Sequence, residues 1–261
     1  MINQVICMKW GTLYGPEYVN RLYAMVRANI TGDLRFVCLT DDTTDIRPEV
    51  ECFDCPMLDL PMPHKLRSMR KVALFAPSEE LFGLTGNWLF LDLDTLVTGP
   101  LDDLFTYMPE KTFIVMKNWT QLGSGNGNTS CFRFTVGAHP YLLDQLLDDP
   151  VGIIKAHVID QTFVSRTITD LNFWPDAWCT SFKIHSVPPW PLRFFKTPTI
   201  PPGARVIAFP GDPNPPEAIR GEWRVKKPYK KLYKYIRPTP WIQDIYDAAE
   251  AHCKSLSHSA E

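Results

Sequence analysis

Residues 87–105 read NWLFLDLDTLVTGPLDDLF and place two carboxylates one residue apart at the end of an apolar run. Trp88, Leu89, Phe90 and Leu91 suit a strand covered on both faces. Side chains of an extended chain alternate with a period of two, so Asp92 and Asp94 point the same way. Like charges held that close repel, and such a pair normally needs a cation or a proton between its members. Asp102 and Asp103 fall in the first turn of a helix expected to start near Leu101, where carboxylates satisfy free amides. That account does not reach Asp92, which interrupts a buried run.

Outward from this strand the pattern alternates. NQVICMK (3–9) reads as a buried strand. PEYVNRLYAMVRANI carries Val19, Leu22, Tyr23, Met25, Val26 and Ile30 at helical spacing and closes at Gly32. LRFVCLTDD is a second strand, ending in Thr40, Asp41 and Asp42, and LRSMRKVALFA has a helical pattern stopped by Pro77. Alternating strands and helices imply the α/β class with a mostly parallel sheet. Ligands of such sheets gather outside the carboxyl ends of the strands. Lys9, Asp41 and the Asp92/Asp94 pair all fall at such ends.

Beyond residue 110, KTFIVMK and CFRFTVG read as strands joined by QLGSGNGNTS, whose Gly123, Gly125 and Gly127 are expected to give a mobile loop. HPYLLDQLLDD reads as a helix with Tyr141, Leu142, Leu146 and Leu147 facing inward, and IDQTFVSRTI as a short helix. Residues 188–216 hold ten prolines around one strand, ARVIAF. With no internal repeat and no clean linker, the reading is one domain, 1–221, with an appendage, 222–261.

A chain of 261 residues with 45% hydrophobic and 21% charged residues is an ordinary globular protein with a large core. Its formal net charge of −2 argues against a nucleic-acid partner. The seven cysteines are odd in number and several sit in apolar runs, as reduced thiols do, so a cytoplasmic location is expected. ECFDCP contains a C-x-x-C pair without the second pair of a zinc site or the helix start of a redox motif, and reads as two unreactive thiols beside a turn. MINQVICMKW has no basic leader, and no stretch reaches the roughly 20 apolar residues of a membrane span. The sequons at Asn29, Asn118 and Asn128 are therefore expected to stay unmodified. His64, His139, His157 and His185 lie singly, without ligand spacing.

One local exception to the neutral charge is RVKKPYKKLYKYIRPTPW, residues 224–241. Its cations, Arg224, Lys226, Lys227, Lys230, Lys231, Lys234 and Arg237, alternate with Tyr229, Tyr233, Tyr235, Ile236 and Trp241, and no carboxylate intervenes. Such a segment suits peripheral attachment to an anionic membrane surface, with a solvated basic tail as the alternative.

Three chemistries compete for Asp92 and Asp94. One is a turn whose carboxylates cap the next helix. Another is the D-x-D nucleophile of a haloacid-dehalogenase-type phosphatase, for whose later acidic cluster FPGDPNPPE is a poor match. The third is a divalent-metal site for a nucleotide diphosphate, where hard oxygen ligands suit Mn²⁺ or Mg²⁺. Seven segments taken in order, VICMKWGTLY, VCLTDD, SMRKVALF, WLFLDLDTLVTGPLDDLF, NTSCFRF, IDQTFVSR and VIAFPGDPNPP, resemble the GT-A nucleotide-sugar transferases. They are most similar to the family 8-type bacterial glycosyltransferases that extend lipopolysaccharide, and the similarity runs from residue 3 to about residue 220.

The resemblance implies a GT-A (Rossmann-like) fold, with a mixed, mostly parallel sheet flanked by helices. It implies a hexosyltransferase that moves a sugar from a UDP-sugar donor to a saccharide or lipid-linked saccharide acceptor with retention. Asp94 would ligate Mn²⁺ or Mg²⁺ directly, and Asp92 would contact the metal, the ribose or both. Lys9 and Tyr14 would lie in the nucleotide loop, with Tyr14 stacking on the base and a solvated strand end as the alternative for Lys9. Lys71 would contact the donor, with Arg67 and Arg70 as substitutes. Gln161 would sit under the anomeric carbon, and Asp160 would bond sugar hydroxyls or cap its helix. Asn128, Ser130 and Arg133 would line the sugar and acceptor side. The family's late segment, H-F-x-G-x-x-K-P-W, is matched here by Ala208, Phe209, Gly211, Asn214, Pro215 and Pro216, so its metal-binding histidine and diphosphate-binding lysine are missing. Thr162 stands where a carboxylate often follows D-Q. These departures keep open a non-catalytic sugar-nucleotide or glycan-binding protein of the same fold.

Overall fold

The computed structural model describes residues 2–225 and 227–258. In chain order the strands are β1 (Asn3–Lys9), β2 (Leu34–Thr40), β3 (Glu51–Asp54), β4 (Asn87–Leu91), β5 (Leu96–Val97), β6 (Phe113–Lys117), β7 (Gly127–Thr135), β8 (Asn172–Phe173), β9 (Cys179–Ser181) and β10 (Val206–Ala208). The α-helices are α1 (Pro16–Ala28), α2 (Asp102–Thr106), α3 (Tyr141–Asp148), α4 (Pro150–His157), α5 (Asp160–Thr167), α6 (Pro215–Arg220) and α7 (Trp241–His258). Two compact units share them. The first takes residues up to Val19, Thr31–Leu93 and Asp102–Trp174, and the second takes Asn20–Ile30, Asp94–Leu101 and the chain from Pro175 onward.

The first unit is built on a seven-stranded sheet of order β3-β2-β1-β4-β7-β6-β8. β3, β2, β1 and β4 run parallel, β7 is antiparallel to β4 and β6, and β8 is parallel to β6. The apolar runs read from the sequence explain this: Val5, Ile6, Cys7, Val37, Cys38 and Leu39 are wholly buried, as parallel strands covered on both faces must be. Lys9 pairs in register with Thr40, so the carboxyl ends of β1 and β2 finish together. One core cluster fills the unit, with Phe75, Phe113, Phe132 and Phe134 in mutual ring contact.

Local expectations are corrected at three places. The stretch LRSMRKVALFA forms 3₁₀ turns, at His64–Leu66 and Ser68–Phe75, in place of an α-helix. Every residue from Met69 to Phe75 is buried, so no solvated face remains to reward the 3.6-residue period. On α3 the inward stripe is Leu142, Leu143 and Leu146, while Leu147 is exposed. Gly127 is no loop residue: it opens β7 opposite Lys117, and a Cβ there would lie 2.5 Å from Val115 Cγ1. Glycine is needed for that close approach beside the register shift at Val115/Met116, whereas Gly123 and Gly125 adopt the positive φ of the turn.

The second unit holds the sheet β5-β10-β9, with β10 antiparallel to β5 and parallel to β9. The expected strand ARVIAF is β10. Residues 222–225 and 227–258 belong to this unit together with the proline-rich stretch. The basic and aromatic segment does not hang free. Trp190 Nε1 donates to the Leu232 carbonyl at 3.1 Å, Arg193 Nη1 to the Tyr233 carbonyl at 2.6 Å, and Trp241 Nε1 to the Pro198 carbonyl at 2.8 Å. Phe194 and Tyr235 stack with centroids 4.9 Å apart. Lys226, one of the segment's cations, lies outside the described residues. None of the seven cysteines is in a disulfide, and burial pushes the Cys55 thiol up to about 11, which suits the unreactive reading of ECFDCP. Among the described residues no helix is long and apolar enough to cross a membrane.

Candidate functional site

The carboxyl ends of β1, β2 and β4 lie along one edge of the first unit's sheet, because these strands are parallel neighbours. Gly11, after β1, donates its amide to Asp41 Oδ2 after β2 at 2.8 Å. Lys9 is 3% exposed, not solvated, and its Nζ donates to the Asp42 carbonyl at 3.3 Å. Hydrogen bonds from Thr44, with the Lys9 charge adding a little, hold the Asp42 carboxyl below its ordinary range. Tyr14 sits beyond, edge-on to Tyr18 at 4.7 Å.

Asp92 follows β4, its amide bonded to the Ser130 carbonyl of β7 at 2.9 Å. Lys71 Nζ reaches both its carboxylate oxygens, at 2.6 Å and 2.8 Å. The same ammonium donates to the Thr129 carbonyl at 3.3 Å and lies 5.2 Å from the Phe90 ring centre. The Thr129 hydroxyl in turn donates to Asp160 Oδ2 at 2.5 Å. A continuous chain, Asp92–Lys71–Thr129–Asp160, therefore links the D-x-D strand to the D-Q helix through buried groups. Asp160 is the first residue of α5, with Ile159 in the cap position, so its carboxylate serves β7 and not the helix end. Gln161 stands next to it, half-buried. Asn128 Oδ1 accepts the Ser130 amide at 2.8 Å, which shapes this end of β7.

Arg133 is the clear correction. It is 1% exposed, and its guanidinium donates to the carbonyls of Leu104, Phe105, Tyr107, Met108 and Lys111. Inward on a nine-residue buried strand, it closes the carboxyl end of α2, where carbonyls lack helical partners, and cannot line an acceptor site.

In the second unit, Asp94 begins the stretch leading into β5. Ala208 is wholly buried at the end of β10. Asn214 is committed to α6, forming a reciprocal cap with Glu217 whose side chain takes the Asn214 amide at 2.8 Å. Lys183, which sequence reading passed over, donates from Nζ to the Pro210 carbonyl. Burial chiefly, then the nearby Lys234 charge, lowers its ammonium to about 8 against the opposing pull of Asp212 and Asp94.

No protein-family model matches the sequence, and no curated protein matches it either. Solved structures do. The galactosyltransferase LgtC, in complex with donor and acceptor sugar analogs, aligns with TM-score 0.56 at 14% identity, over 82% of this chain and 89% of LgtC. The glycosyltransferase GlyE of Streptococcus pneumoniae TIGR4 aligns with TM-score 0.54 at 15% identity, over 82% of this chain and 56% of GlyE. The bifunctional glycosyltransferase WbbM aligns with TM-score 0.55 at 13% identity, over 94% of this chain and 51% of WbbM.

The chain has the GT-A fold. The expected mixed, mostly parallel sheet is that of this fold, and with it the dehalogenase-type phosphatase loses its basis. The GT-A resemblance implies a divalent cation on Asp92 and Asp94. Both Asp92 oxygens accept from the Lys71 ammonium, so a cation at Asp92 would have to share or displace it. Among the described residues no three His, Cys, Asp or Glu side chains converge. Of the residues sequence reading missed, Thr129 had a signal: it lies inside the quoted NTS, between two residues that were chosen. Lys183 had none, since nothing in SFKIHS marks a ligand.

Proposed function

We propose that this GT-A protein is a glycosyltransferase that moves a hexose from a UDP-sugar to a saccharide or lipid-linked saccharide acceptor. The observation that carries the reading is the chain Asp92–Lys71–Thr129–Asp160, all but Asp92 buried, at the ligand-bearing edge of the sheet. An ion pair with a buried ammonium is costly to desolvate and is a weak contributor to stability, so its presence at such an edge favours a functional use. In this reading Lys9 and Tyr14 hold the nucleotide, and Lys71 moves between Asp92 and the donor. Asp160 and Gln161 face the sugar, and Asn128 and Ser130 shape its pocket.

Displacement at the anomeric carbon breaks its bond to the donor phosphate oxygen, and the electron pair leaves with that oxygen. The acceptor hydroxyl forms the new bond from the same face and passes its proton to the departing phosphate. The chain's residues supply positioning and charge stabilisation. The reading is tested by release of UDP from UDP-glucose, UDP-galactose and their N-acetyl forms, with and without candidate acceptors. Release that disappears in Asp92→Asn supports it. UDP binding without release from any donor selects the second reading, a non-catalytic sugar-nucleotide binder, which the loss of the loop histidine and lysine at Ala208 and Asn214 favours.

We further propose a cytoplasmic protein that docks on anionic membrane through residues 224–241. Tyr229, Leu232 and Tyr233 are exposed beside Lys227, Lys230 and Lys231. Sedimentation with phosphatidylglycerol vesicles at low salt is the expected result, and failure to sediment removes the idea.

A further inference from the structure

The loop after β10 has lost its sequence-expected lysine, yet an ammonium lies across it. β9 and β10 are parallel, with Ser181 in register with Ala208, so the residues that follow each strand emerge side by side. After β9 the chain makes one π-helical turn, Phe182–Ser186, and after β10 it runs through Phe209-Pro210-Gly211-Asp212. Phe182 stacks on Phe209 with centroids 4.4 Å apart, which fixes the two segments against each other. Lys183 is thereby aimed at the loop, and its Nζ donates to the Pro210 carbonyl. A Cβ on Gly211 would fall 3.7 Å from that nitrogen, so glycine leaves the ammonium uncovered on this side.

We propose that Lys183 is the cation that holds the phosphate chain of a nucleoside diphosphate in this protein. An ammonium has three N–H donors, and among the described residues Lys183 uses one, on Pro210. Two donors are left for phosphate oxygens. The Lys234 charge also disfavours the Lys183 ammonium, and Asp212 and Asp94 offset that only in part. A half-buried ammonium under the repulsion of a second positive charge is unfavourable until an anion joins it. Asn214 cannot serve instead, because its side chain caps α6. During transfer the lysine keeps its proton, and its N–H bonds strengthen as negative charge grows on the departing phosphate.

The assignment rests on the transferase reading, and the test separates the two. Wild-type protein, Lys183→Met, Lys183→Arg and Lys234→Met are titrated calorimetrically with UDP, uridine and inorganic pyrophosphate. A hydrogen-bonded charge of this kind corresponds to about a 10- to 100-fold weakening of UDP binding in Lys183→Met, with uridine unchanged. Lys183→Arg keeps UDP affinity within a few-fold, and Lys234→Met weakens it less than Lys183→Met. UDP affinity that is equal in wild type and Lys183→Met overturns the assignment and leaves the transferase reading standing. Lys183-dependent binding of pyrophosphate, without binding of UDP, upholds the anion site and removes the nucleotide donor. Binding of neither by wild-type protein overturns both. If Lys183→Met does not fold, Lys183→Gln takes its place under the same criterion, with Lys234→Met beside it.

Discussion

Arg133 offers the sharpest contrast between what its position in NTSCFRF suggests and what its surroundings are. Arg133→Met keeps most of the apolar stem and removes the guanidinium. Nη1 then no longer serves the carbonyls of Leu104, Phe105 and Tyr107, at 3.1, 2.9 and 2.7 Å, and Nη2 those of Met108 and Lys111, at 2.7 and 3.3 Å. The contact with the Trp174 ring, 5.8 Å from the guanidinium carbon, is lost as well. Hydrogen bonds from a charged donor contribute about 1.5–3 kcal/mol each, so five counted separately would consume most of a typical domain's stability. They do not add, since four of the five are only partly buried and water can reach those carbonyls in the variant. The fully buried bond to Leu104 carries the full penalty of an unserved acceptor. The expected loss is about 3–5 kcal/mol. For a chain of this size that is a fall in Tm of roughly 10 °C. Urea and thermal unfolding followed by circular dichroism measure it, and acceptor KM of the folded variant is measured below its Tm. A variant as stable as wild type, with acceptor KM raised, would refute the structural role and restore Arg133 to the acceptor side.

Thr129→Val removes the hydroxyl that orients Asp160 while keeping its shape, and kcat is expected to fall about tenfold, for the loss of one hydrogen bond to a carboxylate, at nearly unchanged UDP affinity; an unchanged kcat counts against the chain from Asp92 to Asp160. Lys183 is lowered to about 8 from the ordinary 10.5 by burial first and Lys234 second, against Asp212 and Asp94. The unfolded state therefore binds more protons between these values, and stability rises with pH across that window. Urea midpoints from pH 7 to 10 are expected to show a rise that Lys183→Met lacks, and parallel profiles would contradict it. Mn²⁺ alone is expected to bind nucleotide-free protein with a dissociation constant on the order of 10⁻³ M or weaker, since the Lys71 ammonium already sits on both Asp92 oxygens. Micromolar binding abolished by Asp94→Asn would show that a resident metal site exists.

Much of the fold was legible because burial on both faces of a parallel strand leaves a continuous apolar run, and NQVICMK, LRFVCLT and NWLFL each have one. The carboxyl-end residues Lys9, Asp41 and Asp92 could be placed on a common edge from the same argument, since parallel neighbours end together. Periodicity failed where burial was complete. The 3₁₀ stretch Ser68–Phe75 has no wet face, and a pattern read as amphipathic had nothing to oppose. Partners across the sheet were invisible for a different reason. Which strand lies beside which is decided by the packing of the whole chain, so the pairing of Leu91 with Cys131 that brings Thr129 and Ser130 to Asp92 and Lys71 has no local trace. Arg133 shows the same limit: its five acceptors lie 22–29 residues away, and only tertiary structure turned a charge on a strand into a clamp on a helix end. Lys183 extends it further, because the register of β9 with β10 put an ammonium over a loop from which the sequence motif had lost one.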